Sequence, residues 1–132
     1  MPENCVKRPL KMVIVIRKDL NMRKGKMIAQ GAHCAVTNVV DLIKKYGFNP
    51  DEDWYQWYYG NNFEQKKVTV SVANEGELLT LYSSLLQSGL PVSLITDHGL
   101  TEFKGVYTPT ALAVGPALED DINPYTGHLP LL

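Results

Sequence analysis

Long apolar runs, paired cysteines and phosphate-loop glycines are what this chain has least of, and each shortage removes a class of explanation. No apolar stretch approaches the ~18 residues of a membrane-crossing helix, so a spanning protein is not expected. The opening MPENCVKRPL has no apolar signal core, which argues against a secretory leader. There are two cysteines, Cys5 and Cys34, and no CxxC, so the expected setting is a reducing cytoplasm without a disulfide framework. Neither GxGxxG nor GxxxxGK(S/T) occurs, so the Rossmann and P-loop fingerprints are absent. No Gly-x-Ser-x-Gly elbow is present and Cys34 has no evident partner, which disfavours a covalent nucleophile. The histidines, His33, His98 and His128, stand far apart without metal-ligand spacing, so a metal site is not expected. The net charge is only -1 over 132 residues.

What is present is an uneven distribution of that charge. Residues 1–26 carry a balance of +6, from Lys7, Arg8, Lys11, Arg17, Lys18, Arg23, Lys24 and Lys26 against Glu3 and Asp19. The remaining 106 residues carry -7. A basic face on a near-neutral protein suits a polyanionic partner, although a solvated surface with folded-back counter-charges has the same signature.

The length fits one domain. Met12–Ile16 is a continuous β-branched run, as in a strand buried on both faces. A helix is expected from about Lys24 to Tyr46, stopped by Gly47. Asn49 to Asn62 is aromatic and polar, and periodicity leaves it open between helix and loop. Strands are expected at Lys67–Val72, Pro91–Thr96 and Thr110–Gly115, with a helix from Glu75 to about Gln87 capped by Asn74. The order strand-helix-strand-helix-strand-strand predicts an α/β fold, with ligands bound at the carboxyl ends of the strands. That rim gathers the basic loop Arg17–Lys26 and the loop TDHGLTE, whose Asp97, His98 and Thr101 could converge with Thr110.

On the long helix, Ile28, Ala32, Ala35, Val39 and Ile43 cluster on one side. Lys26, Gln30, His33 and Thr37 form a stripe on the other. The bland account of that stripe is a solvent-exposed face. A helix that opens with cations is locally unfavourable, because the helix dipole favours anions there; local stability does not explain it, and an external anionic partner is one explanation.

Taken together, these segments resemble one family. The run KMVIVIRKDLNMRKGKMIAQGAHCAV is similar to the N-terminal signature of type 2 peptidyl-tRNA hydrolases, approximately KMVLVVRxDLKMGKGKxAAQxxHAAV. GLPVSLITDHGLTE, TPTALAVGP and the final TGHLPLL resemble that family's later segments, so the likeness covers about residues 10 to 132. It implies a tail over 1–10 and one domain over 11–132, in three α/β/α layers around a four-stranded mixed, mainly parallel sheet. It also implies cofactor-free hydrolysis of the ester that joins a peptide to the 3′ ribose of tRNA, by a cytoplasmic homodimer.

Carried over by position, the resemblance makes Lys26, His33, Asp97, Thr101 and Thr110 the catalytic set. Asp97, directly or through His33, would position or deprotonate water. Lys26 and the threonine hydroxyls would stabilise the developing negative charge. Arg17, Lys18, Arg23, Lys24, Gln30 and Thr108 would hold the tRNA. Three departures stand out: Asn21 replaces a lysine, His98 replaces a small residue, and the turn before Thr110 is one residue longer, leaving open whether Thr108 or Thr110 faces the site. Two other readings use the same residues: a tRNA- or RNA-binding module without catalysis, and an interaction domain using the aromatic segment Trp54–Tyr59.

Overall fold

The computed structural model describes residues 8–98 and 106–132. Thr101 lies outside the described residues, as do Gly99, Leu100 and most of the N-terminal tail. The chain runs β1 (Leu10–Arg17), α1 (Lys24–Tyr46), α2 (Asp53–Phe63), β2 (Lys67–Val72), α3 (Glu75–Ser88), β3 (Val92–Asp97), β4 (Thr108–Leu118), α4 (Glu119–Thr126). The elements α2 and α4 are additions to the sequence reading, which left the first open and saw the second only as a short acidic segment.

The four strands form one sheet in the order β2-β1-β4-β3. β1 pairs parallel with β2, from Met12 opposite Lys67 to Arg17 opposite Val72. β4 lies between β1 and β3 and runs antiparallel to both. The sheet is therefore mixed, as expected. Three strands share one direction, yet only the β1–β2 neighbours form a parallel ladder. Ten residues, 98–107, separate β3 from β4, fewer than the dozen or so that a parallel crossover needs, so antiparallel pairing is the geometry open to β4. The reversal has a consequence for function. β4 begins at the rim where β1 and β3 end, so Thr108 and Thr110 stand beside Arg17 and Asp97.

Helices cover both faces. Met12, Ile14 and Ile16 point to α1 and to Trp57 of α2, with Ile95, Ala111 and Ala113. Val13 and Val15 point the other way, onto Leu78 and Leu85 of α3 and Ile122 of α4. This two-sided burial is why β1 reads as an unbroken apolar run rather than an alternating one. Asn74 caps α3 as expected, its Oδ1 accepting from the Glu77 amide at 2.9 Å.

α1 packs differently from what its pattern suggests. The fully buried residues are Gln30, Gly31, Cys34 and Asn38; of the apolar arc, Ala35 and Val39 are only partly buried against the core. Ile28 is 72% exposed and Val36 61%, with Ala32 also outside. Two local features reverse the usual preference. Gly31 lets the helix settle close to the sheet, where even an added Cβ would lie 3.5 Å from Ile14 Cγ2. Asn38 donates from Nδ2 to the Ala113 and Gly115 carbonyls at 3.0 and 2.9 Å, satisfying backbone groups that an apolar side chain would leave unpaired.

In α2, Trp54 and Trp57 are core residues rather than a contact patch, and Trp57 donates to the Lys66 carbonyl at 2.9 Å. Only Tyr58 and Tyr59 of the aromatic segment Trp54–Tyr59 are exposed. The interaction-domain reading loses its main anchors with the burial of the tryptophans.

Gly115 is the tightest backbone position. Its φ is +101°, and an added Cβ would meet the Lys11 carbonyl oxygen at 2.6 Å. Gly115→Ala is expected to destabilise the fold by about 2 kcal/mol or more. A urea titration would read this as a lower midpoint with an unchanged slope.

Candidate active site

The rim is organised from behind by Arg17. This side chain is buried and clasps Asp19 through both carboxylate oxygens, Nε to Oδ1 at 3.1 Å and Nη2 to Oδ2 at 2.8 Å. Its Nη1 donates to the Pro109 carbonyl at 3.0 Å and approaches Glu75 at 3.5 Å. One planar guanidinium thus ties the end of β1 to the start of β4 and to α3. The same hydrogen bonds hold the Asp19 carboxyl below its ordinary pKa, against the opposing effect of partial burial. Arg17 is a brace for the loop, while Lys18, Arg23 and Lys24 are exposed on its outer surface.

Between them the loop turns tightly. Asn21 takes a left-handed φ of 51° and its amide donates to the Lys18 carbonyl at 3.3 Å. Asparagine tolerates this conformation better than lysine does, which gives a local physical reason for the departure at this position. α1 then begins at an extended Arg23 with no side-chain cap and no acidic residue in its first turn. The first amides of a helix lack intrahelical acceptors, and here the exposed Arg23 and Lys24 flank them, an arrangement that favours an anion.

Inside this rim, the structure brings Lys26 and Asp97 together as an ion pair, Nζ to Oδ2. Both side chains are largely withdrawn from solvent, 13% and 8% exposed, so the pair is weakly screened. One turn along α1, Gln30 is buried and its Oε1 accepts the hydroxyl of Thr110 at 2.8 Å. That hydroxyl also lies 3.4 Å from the Ile95 carbonyl. The two threonines are placed differently: Thr110 is wholly buried against α1, and Thr108 is opposite Asp97 in the ladder, its Oγ1 donating to the Val106 carbonyl at 3.1 Å.

The stripe read on α1 therefore divides. Lys26 and Gln30 turn toward the sheet, while His33 is exposed. The small angular difference decides it, since the sheet meets the helix on the Gln30–Cys34 side. Cys34 is buried, and burial pushes its thiol up to about 12 from an ordinary 9.0, so it stays protonated and unreactive at neutral pH.

The sequence reading missed the roles of Arg17 as a brace and of Asn38 as a carbonyl partner. It also passed over Tyr107, whose ring stacks on His98 with centroids 4.9 Å apart. Each depends on contacts far apart in the chain, and no local pattern signals them. Among the described residues no group of three or more His, Cys, Asp or Glu is arranged to hold a metal ion. Nor is any helix among them long and apolar enough to cross a membrane.

Chemically, the site offers a carboxylate and an ammonium side by side, an anchored amide, and a cationic surface outside. Such a site can handle water and a polarised carbonyl on a polyanionic substrate. Comparison with known proteins agrees in kind. The family profile described as peptidyl-tRNA hydrolase PTH2 matches residues 10–132. A peptidyl-tRNA hydrolase of Methanocaldococcus jannaschii is 43% identical over 123 residues, covering 93% of this chain and 100% of the relative. One from Thermococcus onnurineus is 44% identical, covering 92% and 97%. One from Sulfolobus acidocaldarius is 39% identical, covering 93% and 100%.

Proposed function

The chain belongs to the peptidyl-tRNA hydrolase PTH2 family, and from that membership we propose that it hydrolyses the ester between a peptide, or an N-blocked amino acid, and the 3′ ribose of tRNA. The observation that carries the reading is the withdrawn Lys26–Asp97 pair set directly beneath a basic, uncapped helix start.

In this mechanism the acceptor end of tRNA approaches Lys18, Arg23 and Lys24, which contact phosphates without reading bases. That suits an enzyme acting on many tRNAs. Asp97 orients a water molecule and takes its proton as the water oxygen attacks the ester carbonyl. Lys26 moves its ammonium toward the oxyanion that forms, where the shielded setting strengthens the attraction. Collapse breaks the bond to the ribose oxygen, which takes the proton back from Asp97, and the products are a tRNA 3′-hydroxyl and a peptide acid that ionises to its carboxylate. Gln30 lines the approach, held by Thr110, which acts through it. Thr108 borders the carboxylate. His33 lies on the outer flank, where it serves tRNA contact better than proton transfer from Asp97. Thr101 keeps the role of a hydroxyl donor implied by the family pattern.

The protein works as a cytoplasmic homodimer in this reading. The support for a dimer is the exposed apolar arc of α1, including Ile28, Ala32, Val36 and Val40. A monomer rarely leaves such a stripe in water. Val36→Glu is expected to shift sedimentation from dimer to monomer with an unchanged circular dichroism spectrum. A wild-type monomer at micromolar concentration would sink the dimer.

The test of function is incubation with N-acetylaminoacyl-tRNA at low salt, following release of the blocked amino acid. Release supports the hydrolase. Tight, strongly salt-dependent binding without release would instead establish the non-catalytic module.

A further inference from the structure

The β3–β4 ladder ends at Asp97 and Thr108, and the next residue outward on each side carries a ring. His98 follows Asp97, and Tyr107 precedes Thr108, the ladder partner of Asp97. The two rings stack with centroids 4.9 Å apart and planes inclined by 25°. Both are exposed, Tyr107 to 70%. A large ring held this open gains little for the fold, and a stacked pair always keeps outward faces on which a further ring can continue the stack.

The chemistry around the pair narrows the occupant. His98 follows Asp97 in the chain and Tyr107 precedes its ladder partner Thr108, so the stacked pair sits at the same end of the sheet as the carboxylate that handles the ester. In the substrate, the scissile ester and the terminal base hang on the same ribose. The peptide side chains vary from one substrate to the next, whereas the terminal adenine is present in every tRNA. Base-on-ring stacking is also indifferent to the rest of the sequence. We propose that His98 and Tyr107 form the platform on which the 3′-terminal adenine of tRNA stacks, so that the base places its own ribose ester over Lys26 and Asp97. The proposal rests on the hydrolase reading given above, and it adds two binding residues to it.

The test is a cycle of two substrates and four proteins. N-acetylaminoacyl-tRNA ending in adenosine is compared with one ending in an abasic ribose. Each is given to wild type, His98→Ala, Tyr107→Ala and Tyr107→Trp. Stacking of one base typically changes affinity by about tenfold or more. The wild type is expected to show a KM about tenfold higher for the abasic substrate, with kcat within about twofold, because the contact is the same in ground and transition states. Tyr107→Ala is expected to raise KM for the adenosine substrate to the abasic level and to abolish the difference between the two. His98→Ala should do so in part, and Tyr107→Trp should restore discrimination. Thermal melting confirms that each variant folds.

An abasic penalty that persists undiminished in Tyr107→Ala would overturn the platform. So would loss of preference among acyl side chains with the abasic penalty intact, which would assign the rings to the peptide instead. Absence of hydrolysis in the wild type would sink the hydrolase reading itself. The platform is then judged separately by tRNA binding, where equal affinities for adenosine and abasic ends would also reject it.

Discussion

Asp97→Asn should lower kcat on N-acetylaminoacyl-tRNA by about 10²–10⁴-fold while KM changes little. The substitution preserves shape and keeps an oxygen that can accept from the Lys26 ammonium. What it removes is the negative charge and the capacity to take a proton from water. In the proposed mechanism tRNA is held by Lys18, Arg23 and Lys24, elsewhere on the rim, so binding is expected to survive. This split between kcat and KM separates a chemical role from a structural one, since a collapsed rim would raise KM as well. Melting by circular dichroism gives the control. The side chain is 8% exposed and pairs with Lys26, so some stability is lost, but a folded variant with a wild-type KM is the expected result. A rate within about threefold of wild type would remove Asp97 from the mechanism.

Lys26→Ala is expected to cost about 10²–10³-fold in kcat, the usual loss when one preorganised donor to a developing oxyanion is deleted. The variant also leaves the Asp97 carboxylate without its ammonium in a largely dry position. Its stability should therefore fall more than that of Asp97→Asn, by about 3 kcal/mol where a withdrawn pair loses one partner. Two measurements decide the role. If Lys26 and Asp97 act as one unit, Lys26→Ala combined with Asp97→Asn should be little slower than the worse single variant, because each alone already disables the step. Fully multiplicative losses would mean that the two side chains act independently. A Lys26→Ala variant altered in KM alone would make Lys26 a phosphate contact rather than part of the chemistry.

Parts of this molecule are readable without coordinates because their causes are local. The continuous β-branched run of β1 demands burial on two faces, and α1 was bounded correctly at Lys24 and Tyr46 because Gly47 supplies a positive φ of 72° that few other residues accept. Asn74 announced α3 in the same way. The basic opening of α1 was legible as well, because residue types alone show that its first turn holds no acidic residue.

Other features were decided by tertiary contact. Periodicity shows that α1 has two unlike faces, but not which one meets the sheet. Gly31 and Asn38 decide that, through close approach to Ile14 and hydrogen bonds to Ala113 and Gly115 carbonyls that belong to a distant strand. The same contacts turn Lys26 and Gln30 inward and leave His33 outside. The aromatic segment read equally well as helix or loop until Trp54 and Trp57 found the core.

Residue types and their order thus determined on their own which groups could do chemistry, where the positive charge gathers, and that the fold is α/β. Only the tertiary structure decided which of those groups meet. The antiparallel insertion of β4 between β1 and β3 sets Thr108 opposite Asp97, Thr110 against Gln30, and Tyr107 upon His98. Strand pairing is a contact between segments remote in sequence, and its energy depends on partners that no local window contains.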